Sequence, residues 1–255
     1  MPNWFNMAKN DKKVGKIEVF GDIIESGWEW LDSDVSPVRF ASALKDLGEL
    51  ELIELFINSP GGHVYAGISI GNILKAHPAP VAGHVIGIAG SIASVLLQAC
   101  DERRMWSNTA QFVHAPITGV SGNAAELRRV ADDLDRVQVQ IVDSYMQRVN
   151  IKEAKLLEIM AAESLLSAQE CVQMGFADVI DKQEAKVSAS DAKHLSVNGI
   201  GFDFSRFKNV STDCLKRSEG DKSEPVDYTQ WEQDIIANEH RVFGAQITST
   251  EKEIV

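Results

Sequence analysis

Ser91 stands between two apolar runs, Val81 to Ile86 and Ile92 to Ala99, in the small-residue string Gly90-Ser91-Ile92-Ala93-Ser94. Small residues allow a sharp turn, and a helix that begins at the serine directs backbone N–H groups at its hydroxyl. Both features suit a nucleophile whose tetrahedral adduct carries a negative oxygen. The string is not Gly-x-Ser-x-Gly, because position 93 is alanine, and the same residues also fit an ordinary strand-to-helix turn. A second pattern, Asn58-Ser59-Pro60-Gly61-Gly62, follows the apolar run Leu52 to Ile57. A diglycine after a buried strand exposes amides and lets a ligand approach closely. Packed beside Ser91, this loop would bring the Gly62 and Ile92 N–H groups together as an oxyanion hole; packed elsewhere, it is a turn into a helix. The third requirement is a base. His114 stands at the end of a predicted strand, within Phe112-Val113-His114-Ala115-Pro116. His63, His77, His84, His194 and His240 fall at turns, strand edges or near the C-terminus, where a solvated histidine needs no function. Periodicity does not choose among the six.

The elements that must position these groups alternate. Lys16 to Phe20 reads as a strand closed by Gly21-Asp22. Ser36-Pro37 supplies an N-cap and a first-turn proline for a helix to about Gly48. Leu52 to Ile57 is nearly continuously apolar, as in a strand buried on both faces. A helix is predicted over 64–76, a buried strand over 81–86, an apolar helix over 92–99, and short strands over 103–106 and 111–114. The longest helix is predicted from about Gly122 to Val149, with Leu127, Val130, Leu134, Val137, Ile141 and Tyr145 forming one apolar stripe. Ser167-Ala168-Gln169-Glu170 is a capping box for a short helix stopped by Gly175. Strand and helix in alternation predict an α/β fold with mostly parallel pairing.

Composition sets the bounds. In 255 residues, 37 acidic side chains face 25 basic ones, a net charge of −12, which argues against a nucleic-acid surface. Cys100, Cys171 and Cys214 have neither disulfide nor metal-ligand spacing. Cys100 and Cys171 are expected as small buried hydrophobes in a reducing compartment. No run approaches the ~20 apolar residues of a membrane span, and Met1 to Lys13 lacks an apolar signal-peptide core. The protein therefore reads as cytoplasmic. Residues 1–15 are expected to be a flexible N-terminus. Residues 183–255 turn polar, with scattered Phe202, Phe204, Phe207, Tyr228 and Trp231, and are expected to be a partly disordered C-terminal extension.

Taken together, the motifs resemble the ClpP family of serine peptidases. Phe56 to Gly67 resembles its strand, glycine loop and helix start, and the 29 residues from Gly62 to Ser91 match its spacing from oxyanion glycine to nucleophile. Gly90 to Ala93, Phe112 to Pro116, and Leu166 to Glu170 with Gly175 to Asp178 resemble its serine, histidine and closing segments. The resemblance covers 16–182. It implies a ClpP/crotonase-like fold of repeated ββα units with a long protruding helix, here with a C-terminal extension. It also implies a triad of Ser91, His114 and a third acid. The family has an aspartate where this chain has Glu163, whose extra methylene alters reach while the orienting role can survive. Oxyanion-binding falls to Gly62 and Ile92, and the step needs no metal or organic cofactor.

Within the family, the Gly21-Asp22-Ile23 opening, the Ser121-Gly122-Asn123-Ala124 helix start and Gly175-Phe176-Ala177-Asp178 resemble phage and prophage head maturation proteases. Those relatives process capsid and scaffold proteins, which places the chain inside assembling proheads as well as the cytoplasm. The resemblance further implies a homo-oligomeric ring, heptameric and stacked face to face. With no Walker-type phosphate loop in the chain, any ATP dependence would come from a separate AAA+ unfoldase, as for a general Clp proteolytic subunit. A crotonase-type acyl-CoA enzyme would need acid and base carboxylates in place of a Ser–His pair. A non-catalytic capsid-assembly component is the remaining alternative, because Glu163 departs from the family pattern and a further tail is present. That tail could deliver a capsid or scaffold substrate.

Overall fold

The computed structural model describes residues 5–31, 34–191, 193–207 and 210–215, all within a compact unit spanning Met1–Arg217. The chain opens with a hairpin of β1 (Phe5–Lys9) and β2 (Val14–Val19). Helix α1 (Pro37–Leu47) starts where the sequence predicts, with Ser36 Oγ accepting from Arg39 N and Gly48 closing its end. Then follow β3 (Leu52–Ser59), α2 (Val64–Lys75), β4 (Val81–Gly90), α3 (Ile92–Leu97), β5 (Glu102–Trp106) and β6 (Ala110–Val113). Helix α4 (Ala124–Met146) is capped by Asn123 and Glu126 in a reciprocal box. After it come α5 (Glu153–Ala161), β7 (Ser164–Ser167), α6 (Ala168–Met174) and β8 (Val179–Asp181). The α6 capping box of Ser167 and Glu170 and the left-handed Gly175 stop are both formed.

The main sheet runs β1-β2-β3-β4-β5-β8. Pairing is parallel from β2 to β8, and only β1 is antiparallel on this path. Buried on both faces, β3 and β4 carry the continuous apolar runs such strands need. The central feature is a fork in β4. Its first half (Ala82–Val85) pairs with β5, while its last residues, Ile88 to Gly90, pair with β6. β6 in turn pairs antiparallel with β7. Ten-residue β4 outruns the predicted 81–86 because this second partner extends the ladder.

Three segments differ from the sequence reading. Residues 5–9, expected to be flexible, add an edge strand, with Lys9 opposite Gly15 and Phe5 opposite Val19. Within the expected polar extension, β9 (Val187–Ala189), β10 (His194–Val197) and β11 (Ile200–Asp203) form a second, antiparallel sheet. Phe202, Phe204, Phe207 and Leu215 are buried. Alternating apolar residues let this short sheet bury one face against the main body, a pattern that average polarity conceals. Tyr228, Trp231, His240 and the Ser218 to Glu224 stretch lie outside the described residues. His84, read as solvated, is 2% exposed inside β4 and stacks on Phe56 at 4.8 Å. Desolvation and the Arg104 charge pull its pKa down to about 3, so it stays neutral.

Cys100 and Cys171 are buried as read, and burial pushes the Cys100 thiol up to about 12. Among the described residues no helix is long and apolar enough to cross a membrane. Only the last turns of α4 are covered, at Ile141, Val142 and Tyr145. Its first half projects, leaving Leu127 of the apolar stripe 42% exposed.

Candidate active site

The β4 fork sets Ser91 beside β6, and Ser91, Ile92, Gly62 and His114 line one cleft, which Glu163 does not. In parallel register Gly90 faces Phe112, and Ser91 N donates to Phe112 O at 2.8 Å. Ser91 therefore leaves the sheet beside the strand that ends at His114. Ser91 itself sits at φ 52°, ψ −125°, a conformation that L residues with a β-carbon rarely adopt. The turn is held from behind by a short relay. Ser94 Oγ donates to Ser91 O at 2.6 Å and shares a 2.5 Å hydrogen bond with the Tyr145 hydroxyl on α4. Sequence spacing had assigned Tyr145 only to an apolar stripe.

The glycine loop packs against the serine turn. A β-carbon on Gly61 would stand 2.4 Å from Gly90 O and 2.8 Å from Ser91 Cβ. Only glycine permits that approach, and the backbone here is at φ +96°. Gly62 forms a parallel bridge with Ile23, in which Ile23 N donates to Gly61 O (2.8 Å) and His63 N donates to Ile23 O (2.6 Å). The bridge uses the groups flanking Gly62, so its own N–H faces away from Ile23, and Gly62 lines the cleft. Ile92 is the first residue of α3, and its N–H precedes the helical hydrogen-bond ladder.

His114 is 9% exposed. Its Nδ1 lies 2.6 Å from Ala115 O. A carbonyl can only accept, so this contact places the proton on Nδ1 and leaves the Nε2 lone pair bare. Burial is the strongest influence on the ring and draws its pKa below the usual 6.5. The Ala115 hydrogen bond opposes this, the Arg206 charge adds to it, and the Glu163 charge opposes it more weakly. Val113 faces Ser164 in the last pair of the β6–β7 ladder, so His114 and Glu163 each stand one residue beyond the same end of it. Glu163 adopts φ 53°, and its carboxylate acts on the imidazole through charge. Among the described residues, Ser91 Oγ and His114 share the cleft without a hydrogen bond. Catalytic contacts of this kind often tighten only with substrate present.

The cleft has a volume of about 570 Å³ and is lined by Ser91, Ile92, Gly62 and His114. Phe204 and Phe207, which sequence reasoning left in a polar tail, line it too. One local signal could have found them. Asn198-Gly199, with φ of 48° and 83°, is the tight turn between β10 and β11, and an Asn-Gly pair between apolar runs predicts a hairpin.

A sequence model of the Clp protease family matches residues 41–184, just over half of the chain. The chain belongs to the Clp protease family. A Clp protease proteolytic subunit from Deinococcus radiodurans, named as ATP-dependent, is 34% identical over 133 residues, 51% of this chain and 65% of that protein. The chain thus spans just under two thirds of that relative's length. ATP-dependent Clp protease proteolytic subunit 2 from Treponema denticola is 28% identical over 152 residues, covering 59% of this chain and 76% of the relative. A further ATP-dependent Clp protease proteolytic subunit, from Pleurastrum terricola, is 28% identical over 166 residues, 64% of this chain and 82% of the relative. The mixed α/β architecture agrees with this Clp protease membership. The family match stops at residue 184, before β9, β10 and β11.

Proposed function

We propose that this chain is a serine endopeptidase subunit acting through Ser91, His114 and Glu163. The observation that carries the reading is the convergence, in one cleft, of a strained serine, a neutral buried imidazole with Nε2 bare, and the Gly62 and Ile92 amides. His114 Nε2 takes the Ser91 proton as Oγ attacks a peptide carbonyl. The two amides hold the oxyanion, worth roughly 3–4 kcal/mol per donor at comparable sites. The imidazolium then protonates the leaving amine, and water activated by the same ring hydrolyses the acyl-enzyme. Glu163 stabilises the imidazolium. Intact-mass analysis after fluorophosphonate treatment is expected to show one adduct per chain, because only an activated serine reacts. No adduct in assembled protein would favour the non-catalytic assembly component.

Titration of His114 provides a second test. The base works when neutral, and its folded pKa lies below 6.5, so activity is retained below that pH and is lost as pH falls through the depressed value. Glu163→Gln removes the charge that raises this pKa, so the acid limb moves to lower pH. Loss of imidazolium stabilisation is also expected to lower the plateau by about 10²–10⁴-fold. A pH–rate profile identical to the parent's would remove Glu163 from the triad.

As to substrate, the phage-like opening and closing segments support capsid or scaffold proteins processed during head maturation. The relatives' names support a second reading, general degradation with a separate AAA+ unfoldase. The half-exposed stripe on projecting α4 supports a homo-oligomeric ring, since a partner helix would cover it. Sedimentation at single-subunit mass would exclude the ring, and cleavage of a folded protein without any ATPase would favour the capsid reading.

A further inference from the structure

Five residues beyond the family-matched span, Phe202, Asp203, Phe204, Arg206 and Phe207, line the cleft. Asn58 pins this segment from the glycine-loop strand, with Nδ2 donating to Val197 O at 2.7 Å while Oδ1 accepts from Ile88 N at 3.1 Å. Asn108 grips its start, donating to Ala185 O (2.9 Å) and accepting from Ala185 N (2.6 Å). So anchored, β11 and the turn after it lay an aromatic cluster on the site. Phe204 and Phe207 meet Phe112 edge-on, with centroids 5.1 and 4.7 Å away. The Phe207 ring lies 5.1 Å from the His114 ring. With the segment in place about 570 Å³ stays open, a volume typical of ligand sites, so the segment lines the cleft and does not fill it. Ile88, Val95 and Ile141 continue the apolar lining. Arg206 is stacked 4.9 Å over Phe207, and Asp203 pairs with His194 at 3.2 Å.

Resting on the peptidase reading, we propose that Phe204 and Phe207 are specificity-determining residues. They form the wall against which a large apolar, preferentially aromatic, side chain of the substrate packs while its carbonyl is presented to Ser91. Aromatic rings favour edge and offset contacts with one another beyond their area burial. Preference is therefore set by the segment that follows the family-matched residues.

The test uses the full chain carrying Ser91→Ala, so that binding is read without chemistry. Dissociation constants are measured for four labelled peptides of Ala, Gly and Ser that differ at one central position: Phe, Leu, Ala or Asp. The Phe peptide is expected to bind on the order of tenfold or more tightly than the Ala peptide, consistent with burial of one aromatic side chain. Phe204→Ala and Phe207→Ala are each expected to shrink that ratio to about twofold. Phe204→Leu, which keeps the packing apolar, is expected to retain most of it and controls for loss of fold. An unchanged ratio in both alanine variants would overturn the proposal. So would a uniform gain for all four peptides, which would mean the segment obstructs the cleft. Fluorophosphonate labelling of the parent separates the two claims. Labelled Ser91 with an unchanged ratio removes the wall and leaves the peptidase; a collapsed ratio with no labelling leaves a binding wall and removes the peptidase.

Discussion

Replacing Ser91 with alanine is expected to slow peptide hydrolysis on the order of 10⁴-fold or more, because the nucleophile and its histidine act as one unit. The loss should fall on kcat, since the amides of Gly62 and Ile92 and the cleft walls remain to bind substrate. Alanine keeps the β-carbon at φ 52°, and the Ser91 N to Phe112 O bond is made by the backbone. The variant should therefore fold as the parent does, with an unchanged circular dichroism spectrum and the same assembled mass. Fluorophosphonate labelling should vanish with the activity. Hydrolysis persisting above about 1% of the parent rate, in protein free of contaminating peptidase, would place the nucleophile elsewhere, given the usual size of a nucleophile deletion.

The second large effect concerns stability. Arg103 in β5 has a side chain only 4% exposed and ties three parts of the molecule together. Its Nε and Nη2 hold both Asp178 oxygens in a two-point pair, and Nη1 donates to Gln98 Oε1 at 2.6 Å and Gly175 O at 2.7 Å. Gln98 in turn donates to Ser94 O and Phe176 O, which leads back to the serine turn. Arg103→Leu leaves buried Gln98 Oε1 and Gly175 O without these donors, while Asp178, 36% exposed, keeps the backbone N–H of residue 103 and Arg148. Leaving two buried acceptors unsatisfied costs roughly 2–5 kcal/mol, or about 4–20 °C in Tm for a unit of this size. Burial alone would raise the Asp178 pKa, but the Arg103 hydrogen bonds and charge lower it on balance. The stability it confers is thus present above the usual carboxylate range and lost as pH falls through the depressed value. Asp178→Asn should keep part of the pairing and lose less. A Tm within 2 °C of the parent for Arg103→Leu, below that expectation, would show the network to be incidental.

Much of the frame was legible because local rules dominate there. Ser36-Pro37, Ser167 with Glu170, and Gly175 set helix ends through capping, which depends on a few adjacent residues. The apolar runs of β3 and β4 announced strands covered on both faces. Helix α5 and strand β7 were missed, since nine and four residues leave little periodicity to detect. Phe5–Lys9 became a strand through its pairing with β2, a contact between segments that composition averages away.

The sequence by itself determined the parts of the site. It holds a serine between strand and helix, a diglycine after a buried strand, a histidine at an apolar end, and the helix caps that hold the elements around them. These depend on residue type and on neighbours a few positions away. Tertiary structure alone decided which histidine stands at the serine, because β4 forks and pairs its final residues with β6. It carried His114 and Glu163 to the same end of the β6–β7 ladder, and it tied Tyr145 to the serine turn. It also folded Phe204 and Phe207 back onto the cleft through the grip of Asn58 on Val197, 139 positions away. Contacts at such separation depend on which surfaces remain unburied once the sheet has formed, a property of the assembled chain and not of any window along it.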